Sequence, residues 1–133
     1  MSEESIGVVL ESFRRIRPGH VKDSAALWHP DGRATPTPGW PEPGPFVGRD
    51  AIVRQLERLF ADLSEHHFDD IEVVADSGSW VVVSWRWRIR GAASEIETTL
   101  DQATAFRVED GQIMEAHFRT TVPEALEAAG LSE

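Results

Sequence analysis

Three sets of polar side chains in this sequence stand where chemistry could be done. The first is Gln102, Thr104 and Thr120, which fall in phase with Val83, Trp85, Leu100, Phe106 and Phe118 in stretches of alternating residues. A packed core seldom encloses an unpaired amide, because each unsatisfied buried polar atom costs about 1–3 kcal/mol. Neutral polar groups set among aromatic ones are the pattern of a cavity wall that orients a ligand. The alternative is a core in which all three bond to backbone or water. The second set is histidine. His29 follows Trp28 at the head of a proline-rich stretch and is a candidate general base near neutral pH, or else a surface turn residue. His66-His67 with Asp69-Asp70 supplies ligand types, but adjacent residues point apart, so the spacing is poor for chelation and no metal site is expected. The third set is Asp101, His117 and Arg119. Alternation turns them outward, with Asp101 and Arg119 as a cross-strand ion pair; a slip of one residue would turn all three inward as an acid–base set. Arg86, Arg88 and Arg90 interleave with Trp85 and Trp87 as in a single-strand nucleic-acid reader, or form a solvated face paired with Glu95 and Glu97.

Composition narrows these choices. The 133 residues carry 23 Asp and Glu against 13 Lys and Arg, a formal net charge of −10. Such a surface repels phosphates, so neither nucleic acid nor an anionic membrane is expected as a partner. No cysteine is present, which excludes disulfides, thiolate catalysis and Cys-ligated zinc. No G-x-S-x-G, P-loop or dinucleotide fingerprint occurs, and no cofactor is expected. The acidic start Met1-Ser2-Glu3-Glu4 lacks an apolar signal segment, and no apolar run approaches the roughly 20 residues that span a bilayer. The chain reads as cytoplasmic, and residues 1–133 as one domain.

The elements that must position these groups follow from periodicity. Ile6, Val9, Leu10, Phe13 and Ile16 mark a helix over 3–17, stopped by Pro18-Gly19. A short helix is predicted from Val21 to Trp28, then a turn at His29-Pro30-Asp31-Gly32. Pro36–Pro45 holds five prolines and carries Trp40; a stiff loop with apolar residues suits a lid over a core. Asp50 is placed as the N-cap of a helix ending near Ser64, with Ile52, Leu56, Leu59, Phe60 and Leu63 as its buried stripe. Strands follow at about 70–75, 81–90, 96–108 and 112–121, and Pro123 opens a terminal helix that Gly130 ends. Helices first and a meander of strands afterwards indicate an α+β fold, a curved antiparallel sheet packed on N-terminal helices.

If the turn after Arg90 is centred between Ala92 and Ala93, Arg90 faces Glu95, Arg88 faces Glu97, Trp85 faces Leu100 and Val83 faces Gln102. A three-residue loop with Gly111 left-handed then puts Met114, Ala116, Phe118 and Thr120 on the apolar face.

Several segments resemble SnoaL-like domains of the nuclear-transport-factor-2-like superfamily: Phe46-Val47-Gly48-Arg49-Asp50-Ala51-Ile52, Trp80–Arg90, Phe106–Ile113, and Pro123-Glu124-Ala125-Leu126-Glu127-Ala128-Ala129-Gly130-Leu131. The resemblance covers nearly the whole chain and implies a cone-shaped α+β barrel, commonly a homodimer through its sheet. Relatives include polyketide cyclases, ketosteroid isomerases and non-catalytic binders, so it speaks for fold more than function. The catalytic positions do not carry over. The cyclases' His and Asp resemble Ala116 and Phe118 here, and an Asp of many relatives falls near Thr121. The isomerases' protonated Asp matches Thr104, their general base falls near Pro36, and their Tyr has no counterpart, since the chain has no tyrosine. The Asp-Arg-Asp set of epoxide hydrolases cannot be assembled.

The expected function is therefore binding of a small hydrophobic molecule in an aromatic pocket. Phe13, Trp28, Trp40, Val83, Trp85, Trp87 and Phe118 would supply contact, and Gln102, Thr104 and Thr120 orientation. If the site is catalytic, the reaction is a cyclisation or isomerisation that depends on positioning, with His29 or Gln102 taking part. A non-catalytic homodimeric module is the second reading, its outer face offering Arg and Glu ladders with Val74 and Val82.

Overall fold

Extra residues at a few points in long strands bend this sheet into a hollow. In a computed structural model of the chain, which describes residues 2–17 and 20–131, helix α1 (Ser2–Arg15) leads through a 3₁₀ segment (Val21–Leu27) to strand β1 (Trp28–Thr35). The predicted Pro18-Gly19 stop lies outside the described residues. A short strand β2 (Phe46–Val47) precedes α2 (Arg49–Ala61). Then β3 (Leu63–Ser77), β4 (Trp80–Gly91), β5 (Glu97–Glu109) and β6 (Gln112–Arg119) run as a meander into α3 (Val122–Ala128). The sheet order is β2-β1-β6-β5-β4-β3. All neighbours are antiparallel except β1 and β6, which are parallel. The architecture is α+β, as expected, but β2 and β3 remain free edges, so the cone is open rather than a closed barrel.

The bends arise where turn-forming residues sit inside strands. The β3–β4 pairing shifts register between Asp69 and Glu72 and again between Val73 and Ala75, and such bulges bend a strand and increase its twist. Asp70 takes a left-handed φ of 54° at the first shift. His66 and Phe68 face inward before it, Ile71 and Val73 after it, so the inward phase changes from even to odd. This broken alternation is why the sequence reading placed 64–69 outside a strand. His29-Pro30-Asp31-Gly32, predicted as a turn, is an irregularity within β1: Trp28 stands opposite Ile113 and Arg33 opposite Glu115. Gly32 eases the close approach there, because a Cβ would lie a tight 3.1 Å from the carbonyl oxygens of His29 and Ile113.

Two predicted registers need correction. Across β4 and β5, Arg90 faces Glu97, Trp85 faces Gln102 and Val83 faces Thr104, two residues from the expected pairs. The connection is longer than a two-residue turn: the Gly91 amide bonds to the Ile96 carbonyl, and Glu95 has φ 58°. A shift of two preserves both faces. Between β5 and β6, Asp110 and Gly111 both take positive φ, a two-residue turn. A register shift at Arg107/Val108 then gives the core position expected for Met114 to Ile113, which is fully buried.

α1 and α2 fill the concave side, where Val9, Phe13, Ile52 and Phe60 pack on Val81, Val83, Trp85 and Trp87. α2 begins two residues earlier than predicted, with Gly48 (φ 95°) in the capping position and Asp50 in the first turn, where its charge suits the helix dipole. α3 covers part of the convex side through Ala125 and Ala129 on Val82, Ala103 and Ala105. Val82, expected on an open outer face, is thus buried. Thr121 caps α3 by accepting from the Glu124 amide, 3.3 Å away. Among the described residues no helix is long and apolar enough to cross a membrane.

Alanines at 103 and 105 are what let α3 approach. Ala105→Leu should cost about 1–3 kcal/mol by overpacking, read as a lower urea midpoint with the slope unchanged. An unaltered midpoint would show that α3 does not rest on this residue.

Candidate functional site

The concave face does not fill completely. A cavity of about 130 Å³ remains between the sheet, α1, α2 and the proline-rich loop. α1 contributes Ser12, Phe13 and Ile16; α2 contributes Gln55, Leu56 and Phe60; the loop contributes Pro36, Thr37 and Trp40. Phe68, Trp85, Trp87, Gln102, Phe106 and Phe118 come from the central strands, and Trp28 and Ala34 from β1. Phe13 stands edge-on to Phe68 and Trp85, ring centroids 5.3 Å apart in each case, and to Phe106 at 6.0 Å. Such edge contacts hold rings in fixed orientations. Among the described residues, no side chain lining the cavity carries a charge.

Seven predicted contact residues meet in this hollow: Phe13, Trp28, Trp40, Trp85, Trp87, Gln102 and Phe118. Three do not. Val83 is wholly buried in the core. Thr104 is also fully buried and accepts a hydrogen bond from Trp85 Nε1 at 3.0 Å, so it fixes an indole rather than facing the cavity. Thr120 lies beyond the end of β6, exposed, and donates to Glu124 Oε1 at 3.2 Å. His29, the other catalytic candidate beside Gln102, sits in the β1 irregularity. Its Nδ1 accepts from the Asp31 amide at 3.0 Å, away from the cavity lining.

The acid–base alternative fails on geometry. Asp101 is on the outer face, paired with Arg86 at 3.0 Å rather than with Arg119. Arg119 donates to the Phe118 carbonyl. His117 is half-buried on the same outer side, its Nε2 3.0 Å from Glu115 and its ring against Trp80. The β4 arginines are held by carboxylates: Arg88 by Asp69 at 3.0 Å and Arg90 by Glu97 at 3.3 Å, not by Glu97 and Glu95 respectively.

Two residues were missed in the sequence. Gln55 interrupts the apolar stripe of α2 between Ile52 and Leu59, and a polar residue in a buried stripe was the available signal. His66 was hidden by the bulge. It is buried, stacked on Phe60 with centroids 4.3 Å apart and edge-on to Phe68 at 5.0 Å. His67 points the other way, near Glu65. Trp28 Nε1, Trp87 Nε1, Gln55 Oε1 and both nitrogens of His66 are buried without a hydrogen-bond partner. Each such group costs about 1–3 kcal/mol.

The sequence from residue 9 to residue 116 matches the model of the SnoaL-like domain, and the chain belongs to that family. No curated protein matches it in sequence. Several solved structures share the fold. A putative polyketide cyclase from Xanthomonas campestris pv. campestris is 20% identical with a TM-score of 0.78, the match covering 92% of this chain and 94% of that one. TerC, co-crystallised with polyporic acid, is 18% identical with a TM-score of 0.76, covering 93% and 98%. A phenazine biosynthesis-related protein from Pseudomonas aeruginosa is 14% identical with a TM-score of 0.74, covering 99% and 84%.

Burial, and then the neighbouring His67, hold the His66 pKa below the ordinary 6.5. The folded state therefore takes up this proton less readily than the unfolded one. The contribution is fully present above about pH 6.5 and is lost as pH falls through the folded value. Denaturation midpoints should decline from pH 7 to pH 5.5, before carboxylates titrate, and His66→Phe should flatten that decline. Equal slopes in both proteins would place the titration elsewhere.

Proposed function

We propose that this chain binds a small, neutral, largely apolar ring compound in the cavity between its sheet and α1 and α2. The observation that carries this reading is the lining itself: aromatic and aliphatic side chains with a few neutral polar groups and no charge. An apolar cavity of about 150 Å³ accepts a benzene ring, so a cavity of about 130 Å³ suits a compact ligand built on one aromatic ring rather than a polycyclic one. A charged ligand would lose its hydration against a wall that offers no counter-ion.

The same lining bears on catalysis. Among the described residues no carboxylate or imidazole lines the cavity, which argues against general acid–base chemistry by side chains there. Binding is the primary role. Any cyclisation or isomerisation on this surface would proceed through confinement of a reactive conformer. That a structural neighbour is described as a putative polyketide cyclase, and that another was crystallised with polyporic acid, supports a ring-bearing ligand class.

Four of the five tryptophans line the cavity, and Trp80 does not. Titration with a panel of one- and two-ring neutral aromatics should quench the intrinsic fluorescence and raise the thermal midpoint. Trp40→Ala should weaken the best binder about three- to tenfold through lost apolar contact. Absence of quenching and of thermal stabilisation across the panel would refute the proposal.

A further inference from the structure

Among the described residues, the buried side-chain atoms that lack a hydrogen-bond partner are confined to four residues, and all four belong to one neighbourhood. Trp28, Gln55 and Trp87 line the cavity; His66 stacks behind Phe60 and is not part of the lining. In folded proteins the large majority of buried polar side-chain atoms are paired. Here the pairing is selective. Trp85, in the same wall, has its N–H satisfied by Thr104, while Trp28 and Trp87 do not have theirs satisfied. The three lining residues come from β1, α2 and β4, and β1 and β4 are separated in the sheet by β6 and β5. The residues that carry the unpartnered atoms therefore stand on different walls of the hollow. The atoms comprise two N–H donors and one amide oxygen acceptor, which do not satisfy one another.

We propose that Trp28, Trp87 and Gln55 form the polar anchor of the ligand, which is a neutral ring compound bearing both a ketone and a hydroxyl group. This inference rests on reading the cavity as a ligand site. The ketone oxygen accepts from an indole N–H, and the hydroxyl donates to Gln55 Oε1 while accepting from the other indole. In the unliganded fold these atoms are buried behind the cavity surface, so the anchor requires the three side chains to turn toward the ligand as it binds. Recognition of this kind is asymmetric: a site with buried donors rejects the analogue that lacks an acceptor, because its own groups then stay unpaired. A carboxylate of the same shape is rejected for another reason, since no cation lines the cavity.

Calorimetric titration with three two-ring probes tests the proposal: 4-hydroxy-1-indanone, indane and indane-1-carboxylate. The hydroxyketone should bind about tenfold more tightly than indane, the value of recovering one or two buried hydrogen bonds, and the carboxylate should bind more weakly than either. Trp87→Phe and Gln55→Leu should each bring the hydroxyketone-to-indane ratio toward one. Trp85→Phe removes similar ring area but no free donor, so it should weaken both probes and leave the ratio in place. Equal affinity of the native protein for hydroxyketone and indane would overturn the polar anchor and leave the cavity as an apolar binding site. A ratio unchanged in both Trp87→Phe and Gln55→Leu would also overturn it. Failure of all three probes to bind would instead remove the ligand site itself.

Discussion

A strand admits no compromise between its two faces, and in this protein β4 imposes that rule on everything else. Trp85 and Trp87 enter the hollow because Arg86, Arg88 and Arg90 must reach water and the carboxylates of Asp101, Asp69 and Glu97. The pleat of β5 answers residue by residue, with Gln102 and Thr104 inward and Asp101 and Ala103 outward. Neither face tolerates a slip of one, since that would bury three arginines and expose two indoles. The hydrogen bond from Trp85 to Thr104 locks the centre of the wall. Bulges in β3 and β1 then bend the sheet so that the inward row curves around the helices instead of lying flat against them.

Function follows from what this bending encloses. A flat sheet would press its aromatic row onto α1 and α2 and leave no space. The curved sheet packs on the helices through Phe13 and Phe60 and still leaves a hollow, which the proline-rich loop lines on one side with Pro36 and Trp40. Among the described residues, the wall carries no carboxylate or imidazole. Its polar content is neutral and partly unpaired, which is unfavourable for the folded chain alone and favourable for a complex that satisfies it. In the proposed reading, a site concentrated in indole and amide groups selects ligands by where they carry oxygen rather than by charge.

Much of this could be read from residue order. Alternation in 81–90, 96–108 and 112–121 placed Trp85, Trp87, Gln102 and Phe118 on one face, and that parity survived a β4–β5 register error of two because two is the period of the pleat. The resemblance likewise put Ala116, Phe118 and Thr104 where relatives carry a catalytic His or Asp. What could not be read were the bulges. His29–Gly32 has the composition of a turn and lies within a strand; Asp69–Ile71 shifts the phase of β3 and conceals His66. Whether a threonine on the inner face meets a cavity or a neighbour depends on packing in three dimensions. Thr104 met Trp85, and Thr120 ran past the end of the sheet to Glu124.

The most direct measurement is a proton–nitrogen correlation spectrum of the five indole N–H groups during titration with 4-hydroxy-1-indanone. The account predicts that the Trp28 and Trp87 resonances move together toward saturation while that of Trp80, on the outer face beside His117, stays in place. Five unmoved indole signals, or a shift confined to Trp80, would contradict it.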